Sequence, residues 1–528
     1  MASYTATVKG TQKLYGFYGN GNGATYTITV TNGTGVMKKF DVIRRPIRGG
    51  IPNVVQTGYS GTAVTYTENA RFDFELEIWA DVTTVGTFTA TVTSSAGGDN
   101  ITMATVNTDP LTGGVEIASN NYTRREKLKR AAAAAFAFNP EDAPVASGAT
   151  QAVSNVLNGT LTKSVTMLGN PTKFLTYGGR RAANTSSNRV YFPVSSSFPA
   201  AGNLTGIMLE GNNDYQAFGA GISICTESAK VAFGVFGYVS KYFRVLVDGQ
   251  YINKSYVAFS NDGVQNYVEV DFAGVYKQRT ITLEMSTQVG CYGVYVEATA
   301  DVSAPQVSAP ITALFTGDSY GEGQGATSVG MGGFAHQAAK RLGWTDPRQV
   351  AVGSTGYLQD AGAARQKLRD QIPRWLGINT DLSSTSVDVI VVASGYNDYS
   401  LIPGTYSVAQ VAAEAANAVT AIRATFPNSL IIVFGPWSGI RNNDATTVAL
   451  ENAIFTAVNA LNDPFVKTAP VSTDVSPWQY GTGKVGATNG SGNTDRGVSA
   501  DGIHPSDQGH TTIALRMTQA VRKIIANL

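Results

Sequence analysis

Charge, cysteine and histidine are all scarce in this 528-residue chain. Charged residues make up 15% of it and the formal net charge is +1. That balance excludes a strongly basic surface of the kind that gathers nucleic acid or an anionic membrane. Two cysteines, Cys225 and Cys291, do not make a disulfide framework, and a reduced, buried pair is expected. The three histidines, His336, His504 and His510, form no cluster with cysteine at metal-ligand spacing, and no phosphate-cradling glycine loop occurs, so no metal or other cofactor is expected. No apolar run approaches the roughly 20 residues of a membrane span. The N-terminal stretch lacks the basic and apolar regions of a secretory leader. What is plentiful is glycine, 57 residues, beside many Thr, Ser and Asn. With 43% hydrophobic residues the chain can still fill cores, so disorder is excluded.

The length calls for several domains. Residues 1–120 alternate apolar and polar side chains in short runs, as in Tyr4–Val8, Thr25–Val30, Phe72–Ile78 and Thr87–Val92. That period of two predicts an antiparallel β-sandwich, with a hairpin at Gly19–Gly23. Residues 121–155 read as a helical linker. A basic run from Arg124 to Arg130 leads into an alanine-rich stretch closed by Pro140 and Pro144, and a solvated helix is expected. Short strands return over 156–305, with a hairpin at Val247-Asp-Gly249, and predict a second, jelly-roll-like sandwich. From about 306 to 528 strand-like runs at 311–315, 348–352, 387–393 and 429–434 alternate with helical runs at 334–342, 408–426, 445–461 and 506–525. Alternation of that kind predicts a parallel sheet covered by helices on both faces. Residues 470–500 are polar and glycine-rich, a long loop of the kind that carries function.

The chemistry gathers in this last region. Strand Ile311–Phe315 runs into Gly317-Asp-Ser319, which places a hydroxyl at the C-terminal edge of the sheet, where open α/β sheets hold ligands. A bare serine needs a base. Asp501-Gly-Ile-His504 supplies an imidazole with a carboxylate three residues away. In that arrangement Ser319 attacks, His504 carries the proton and Asp501 orients the ring. Donors for an oxyanion are sought in the loops after two further strands, at Gly356 or Gly353 and at Asn397, together with the Ser319 N–H. Each of these has a plainer reading when taken alone: a turn at Ser319, a capping Asp501 beside a surface His504, a turn-capping Asn397. Asp398 is expected to hold the Asn397 loop. His336 and His510 fall on helices and read as structural. Trp437 and Trp478 are placed either to stack on a sugar or to pack in the core.

Gly317-Asp-Ser319, the turn ending at Gly356, Gly395-Tyr-Asn397-Asp398 and Asp501-Gly-Ile-His504 occur in the order of the four blocks of the SGNH (GDSL-type) hydrolases, which this region of about 215 residues resembles. The resemblance implies a flavodoxin-like α/β/α domain with an ester-hydrolysing triad. It also implies Ser319, Gly356, Asn397 and His504 as the four named residues, with Asp501 as the triad acid. Two positions depart from the pattern. Ala351 stands where the second block begins with Asn, and Tyr320 where Leu commonly follows the serine; Tyr320 is expected to alter the pocket more than the mechanism.

The order of sandwich then hydrolase resembles carbohydrate esterases and phage tail deacetylases. It implies an acylated polysaccharide as substrate, a virion or extracellular location, and attachment to other virion proteins through residues 1–120. Assembly as a homo-oligomer, with a trimer as the candidate state, is expected with it. A glycan-binding virion protein that keeps the fold as scaffold, and a lipid or thioester hydrolase, stand as alternatives.

Overall fold

The structure is a computed structural model. It describes residues 2–6, 10–20, 24–46, 53–68, 73–95, 102–104, 128, 141, 143–178, 182–184, 188–191, 219–237, 241–259, 263–286, 289–305, 311–362, 365–378, 382–437, 444–481 and 495–528. The chain divides into two compact units, Met1–Thr123 and Arg124–Leu528.

The first unit is a sandwich of a four-stranded and a five-stranded antiparallel sheet. Alternation sets its layers: Tyr26, Ile28 and Val30 point into the core while Thr25, Thr27 and Thr29 are half-buried on the other face. Gly10–Asn20 and Ala24–Asn32 lie in different sheets. The two strands are therefore not paired as the expected hairpin at Gly19–Gly23 requires, because each finds its partners elsewhere in the sequence; residues 21–23 lie outside the described residues.

The second unit opens with another antiparallel pair of sheets, of seven and six strands. Its hairpin at Asp248-Gly249 forms as the sequence predicts, with both residues at positive φ and Val247 paired to Gln250. Cys225 and Cys291 are free and buried. The expected linker contributes to both neighbours. Thr150–Ser154 is an edge strand of the sandwich, and Leu128 is fully buried in the core of the C-terminal domain. Burying that side chain is stabilising because it removes apolar surface from water.

The C-terminal domain is built on five parallel strands, β1 (Thr312–Gly317), β2 (Asp346–Gln349), β3 (Val389–Ala393), β4 (Leu430–Phe434) and β5 (Val466–Ala469). Their order is β2-β1-β3-β4-β5. Among the described residues seven α-helices accompany them: α1 (Ser319–Glu322), α2 (Phe334–Arg341), α3 (Leu368–Ile378), α4 (Tyr396–Tyr399), α5 (Val408–Thr425), α6 (Ala445–Asn459) and α7 (Asp507–Ala526). Although β3 and β4 are buried on both faces, their side chains still alternate. Val389, Val391, Leu430 and Ile432 pack with α2 and α7, while Ile390, Val392, Ile431 and Val433 pack with α3, α5 and α6.

Three differences from the sequence reading have physical causes. The second strand is Asp346–Gln349, starting before the apolar residues 350–352 that suggest it. β5 is four residues long and carries Lys467 and Thr468, so it lacks an apolar signature. α3 contains Pro373, which reads as a helix breaker in isolation; it stands in the middle of the helix, where buried Ile372 and Trp375 hold the segment to the core. Within the long polar stretch 470–500, residues 482–494 lie outside the described residues.

Candidate active site

A strand order of 2-1-3-4-5 reverses direction between β1 and β3, and the crevice beyond their C-terminal ends is where such sheets bind ligands. Ser319 follows β1 and Asn397 follows β3. The turn into Ser319 needs a glycine. Gly317 has φ +156°, and a Cβ there would stand 2.1 Å from the Ala393 carbonyl oxygen on β3. Asp318 then caps α1, its Oδ1 accepting the Tyr320 N–H at 3.0 Å.

The other half of the site comes from the turn before α7. Asp501 Oδ1 accepts from the Ser499 hydroxyl (2.6 Å) and from the N–H groups of Ile503 (2.8 Å) and His504 (2.9 Å). Its Oδ2 faces His504 Nδ1 at 2.6 Å. A carboxylate on that side places the proton on Nδ1 and leaves Nε2 as an acceptor. Nε2 stands 2.9 Å from Ser319 Oγ. Burial by itself would raise the Asp501 pKa, but the hydrogen bonds from Ser499, His504 and the two backbone N–H groups reverse this and hold the carboxyl well below its usual range. The structure thus brings Ser319, His504 and Asp501 into one hydrogen-bonded chain, with the ends of the pair 185 residues apart.

The donor side differs in part from expectation. Asn397 Nδ2 donates to the Thr355 carbonyl at 2.8 Å, which ties the β3 loop to the β2 loop. The Gly356 N–H donates to the Gln359 carbonyl at 3.0 Å, and the Gly353 N–H to Glu322 Oε1 at 2.7 Å. Both are engaged within the protein. Gly356 has a different requirement: a Cβ would lie 2.2 Å from Asp398 Oδ2. Asp398, expected to hold the Asn397 loop, accepts the N–H groups of Tyr357, Leu358 and Gln359 at 2.7–2.8 Å and so organises the turn after Gly356. Burial nevertheless raises its pKa against those three bonds.

The remaining residues fall on the structural side. Trp437 and Trp478 are buried, 0% and 2% exposed, in an aromatic cluster beneath the site, so neither presents a face to a ligand. His510 is buried, accepts the Phe334 N–H at Nδ1 and donates from Nε2 to the Gln324 carbonyl. His336 is buried on α2, 3.7 Å from Glu284 of the second sandwich. Glu322 is a contributor that sequence reasoning missed, since a glutamate in the turn after a serine carries no distinguishing signal.

A doubly wound α/β/α domain with a Ser–His–Asp chain at its switch point belongs to the serine hydrolases in architecture. Residues 315–512 match the GDSL-like lipase/acylhydrolase family, and the C-terminal region of this chain is a GDSL-type (SGNH) hydrolase domain. No curated protein matches the chain. Among solved structures it is similar to a family two carbohydrate esterase from Clostridium thermocellum in complex with cellohexaose. That likeness has 15% identity and a TM-score of 0.47, covering 67% of this chain and 100% of the other. A family two carbohydrate esterase from Cellvibrio japonicus is similar at 16% identity and TM-score 0.45, covering 72% and 99%. An acetyl xylan esterase from Butyrivibrio proteoclasticus follows at 13% and 0.43, covering 66% and 98%.

Proposed function

We propose that Ser319, His504 and Asp501 hydrolyse a carboxylic ester. The observation that carries this reading is the continuous chain from Asp501 Oδ2 through both imidazole nitrogens to Ser319 Oγ, at 2.6 and 2.9 Å. Ser319 Oγ attacks the ester carbonyl while His504 Nε2 takes its proton. The imidazolium is stabilised by Asp501 and returns the proton to the leaving alkoxide; a water then repeats the sequence on the acyl-enzyme. The Ser319 N–H, in the first turn of α1 where no intrahelical acceptor exists, and the second amide hydrogen of Asn397 serve the oxyanion. Gly356 joins them only by releasing the Gln359 carbonyl.

At the finer level we propose an acyl group carried on a polysaccharide. Support comes from openness and polarity: the His504 and Asp501 side chains are 21% and 46% exposed, and the exposed Ser354, Thr327 and Ser400 lie on neighbouring loops. An open, polar site admits a polymer laterally, whereas a long acyl chain calls for an apolar groove. The virion setting and oligomeric assembly remain part of this proposal, supported by composition and by the separate first unit. Light scattering tests the assembly.

The direct test is acetate release from acetylated bacterial polysaccharides and from 4-nitrophenyl acetate. Ser319→Ala and His504→Ala are expected to lower kcat by roughly three orders of magnitude or more with the fold intact. Asn397→Ala is expected to lower it about 100- to 1,000-fold. Full activity at any of these positions removes that residue from the mechanism, and serine-dependent cleavage of the small ester alone removes the polysaccharide.

A further inference from the structure

Tyr320 stands where the family commonly carries leucine and where a change to the pocket is expected. Its side chain is 0% exposed. The ring lies parallel to Trp437 at 5.7 Å and reaches Tyr396 at 5.4 Å and His504 at 5.8 Å. Its hydroxyl donates to the Ile503 carbonyl at 2.5 Å. Tyr320 directly follows Ser319, and Ile503 directly precedes His504. One buried side chain therefore ties the serine turn to the histidine turn across 183 positions of sequence. Leucine has no donor with which to do this.

Other links clamp the same two segments farther from the reacting atoms. His510 Nε2 donates to the Gln324 carbonyl at 2.9 Å, and Thr327 donates to Asp507 from its N–H (2.8 Å) and hydroxyl (2.6 Å). These bring the 319–327 and 503–510 segments together. The Tyr320 bond is the one adjacent to both members of the Ser319–His504 pair. We propose that Tyr320 is a positioning residue that sets the height of the His504 turn, so that Nε2 meets Ser319 Oγ. This proposal rests on the ester-hydrolase reading of the site. Proton transfer between these two atoms occurs in both halves of the reaction, so an unanchored Ile503 slows both.

Tyr320→Phe removes the donor and keeps the stacked ring; Tyr320→Leu removes both. We would measure kcat and KM on 4-nitrophenyl acetate at 25 °C, the rate of Ser319 labelling by diisopropyl fluorophosphate, and the melting temperature. For Tyr320→Phe, kcat and the labelling rate are each expected to fall about 10-fold, in line with the sensitivity of catalysis to small misplacements, with KM within twofold. Tyr320→Leu is expected to lose at least as much. A lower melting temperature with kcat and labelling intact would make Tyr320 a packing residue and overturn the proposal. So would a raised KM with labelling unchanged, which marks a pocket role. Ser319→Ala run in parallel separates the two levels. Hydrolysis undiminished in Ser319→Ala overturns the esterase reading itself, whereas an inert Ser319→Ala beside a fully active Tyr320→Phe overturns the positioning role alone.

Discussion

Asp318 is fully buried in the turn between β1 and Ser319, with Oδ1 on the Tyr320 N–H and Oδ2 meeting no partner among the described residues. Burial pushes its pKa up to about 8; the Tyr320 N–H pulls the other way, and the charges of Glu322 and Asp398 add to the rise. The carboxylate that orients His504 is Asp501, whose Oδ2 lies 2.6 Å from Nδ1. With the folded pKa above the unfolded one, the stability this group contributes is present below pH about 4 and is lost as pH rises towards 8, on the order of 5 kcal/mol in all. Asp318→Asn, which mimics the neutral form, is expected to gain stability relative to wild type across that window; a constant difference in urea midpoint from pH 4 to 8 would refute it. His510 behaves oppositely. Burial lowers its pKa to about 4, only partly countered by the Gln324 carbonyl. Its contribution is present above pH about 6.5 and fades as pH falls towards 4, roughly 3 kcal/mol. His510→Gln, compared with wild type over pH 4–7, is expected to remove this acid-side loss.

At the scale of elements, the meeting of α2 with the second sandwich is held by charge out of reach of solvent. Glu284, 1% exposed, accepts from Tyr177 (2.9 Å), Tyr251 (2.7 Å), Arg244 (3.1 Å) and Lys340 (2.7 Å). Burial and the Arg244 charge push the Lys340 ammonium well below its usual range, so Arg244, with Glu141 at 2.9 Å on its other side, is the fixed counter-charge. Glu284→Gln leaves that guanidinium without its buried partner, and a loss of about 3–5 kcal/mol in denaturant-derived stability is expected. A loss under 1 kcal/mol would mean that Glu141 suffices. Gly317→Ala acts on the β1–β3 contact. Its Cβ at 2.1 Å from the Ala393 oxygen forces the two strands apart at the serine turn, so both melting temperature and turnover are expected to fall.

For the whole molecule, the chain divides into two compact units at Thr123, and the second sandwich and the C-terminal domain share the second unit. Residues 124–528 are expected to fold and to keep full esterase turnover without the first unit. Residues 311–528 alone are expected to misfold, because they lose Leu128 from the core and expose Lys340 and His336 of α2. Circular dichroism melts and 4-nitrophenyl acetate turnover of the two truncations check this; a stable, active 311–528 fragment would show the sandwich to be dispensable.

Much was legible in the linear chain because it is written locally. Period-two runs mark the sandwich strands, apolar strands alternating with helices mark the parallel sheet, and Asp501 and His504 lie within one turn of each other. The first and last of four short blocks hold Ser319, Asp501 and His504, which the fold joins by hydrogen bonds, whereas Asn397 and Gly356 of the middle blocks bond to Thr355 and Gln359. What stayed hidden depends on partners distant in sequence. Whether Gly356 has a free N–H is decided by Gln359 and Asp398, and whether Trp437 faces a sugar or a core is decided by Tyr320. That Leu128 is buried in the C-terminal core is likewise set by partners far along the chain. Spacing along a chain determines which groups share a turn or a face. Only the packed structure determines which buried polar group finds its partner, since desolvation makes that choice across the whole molecule at once.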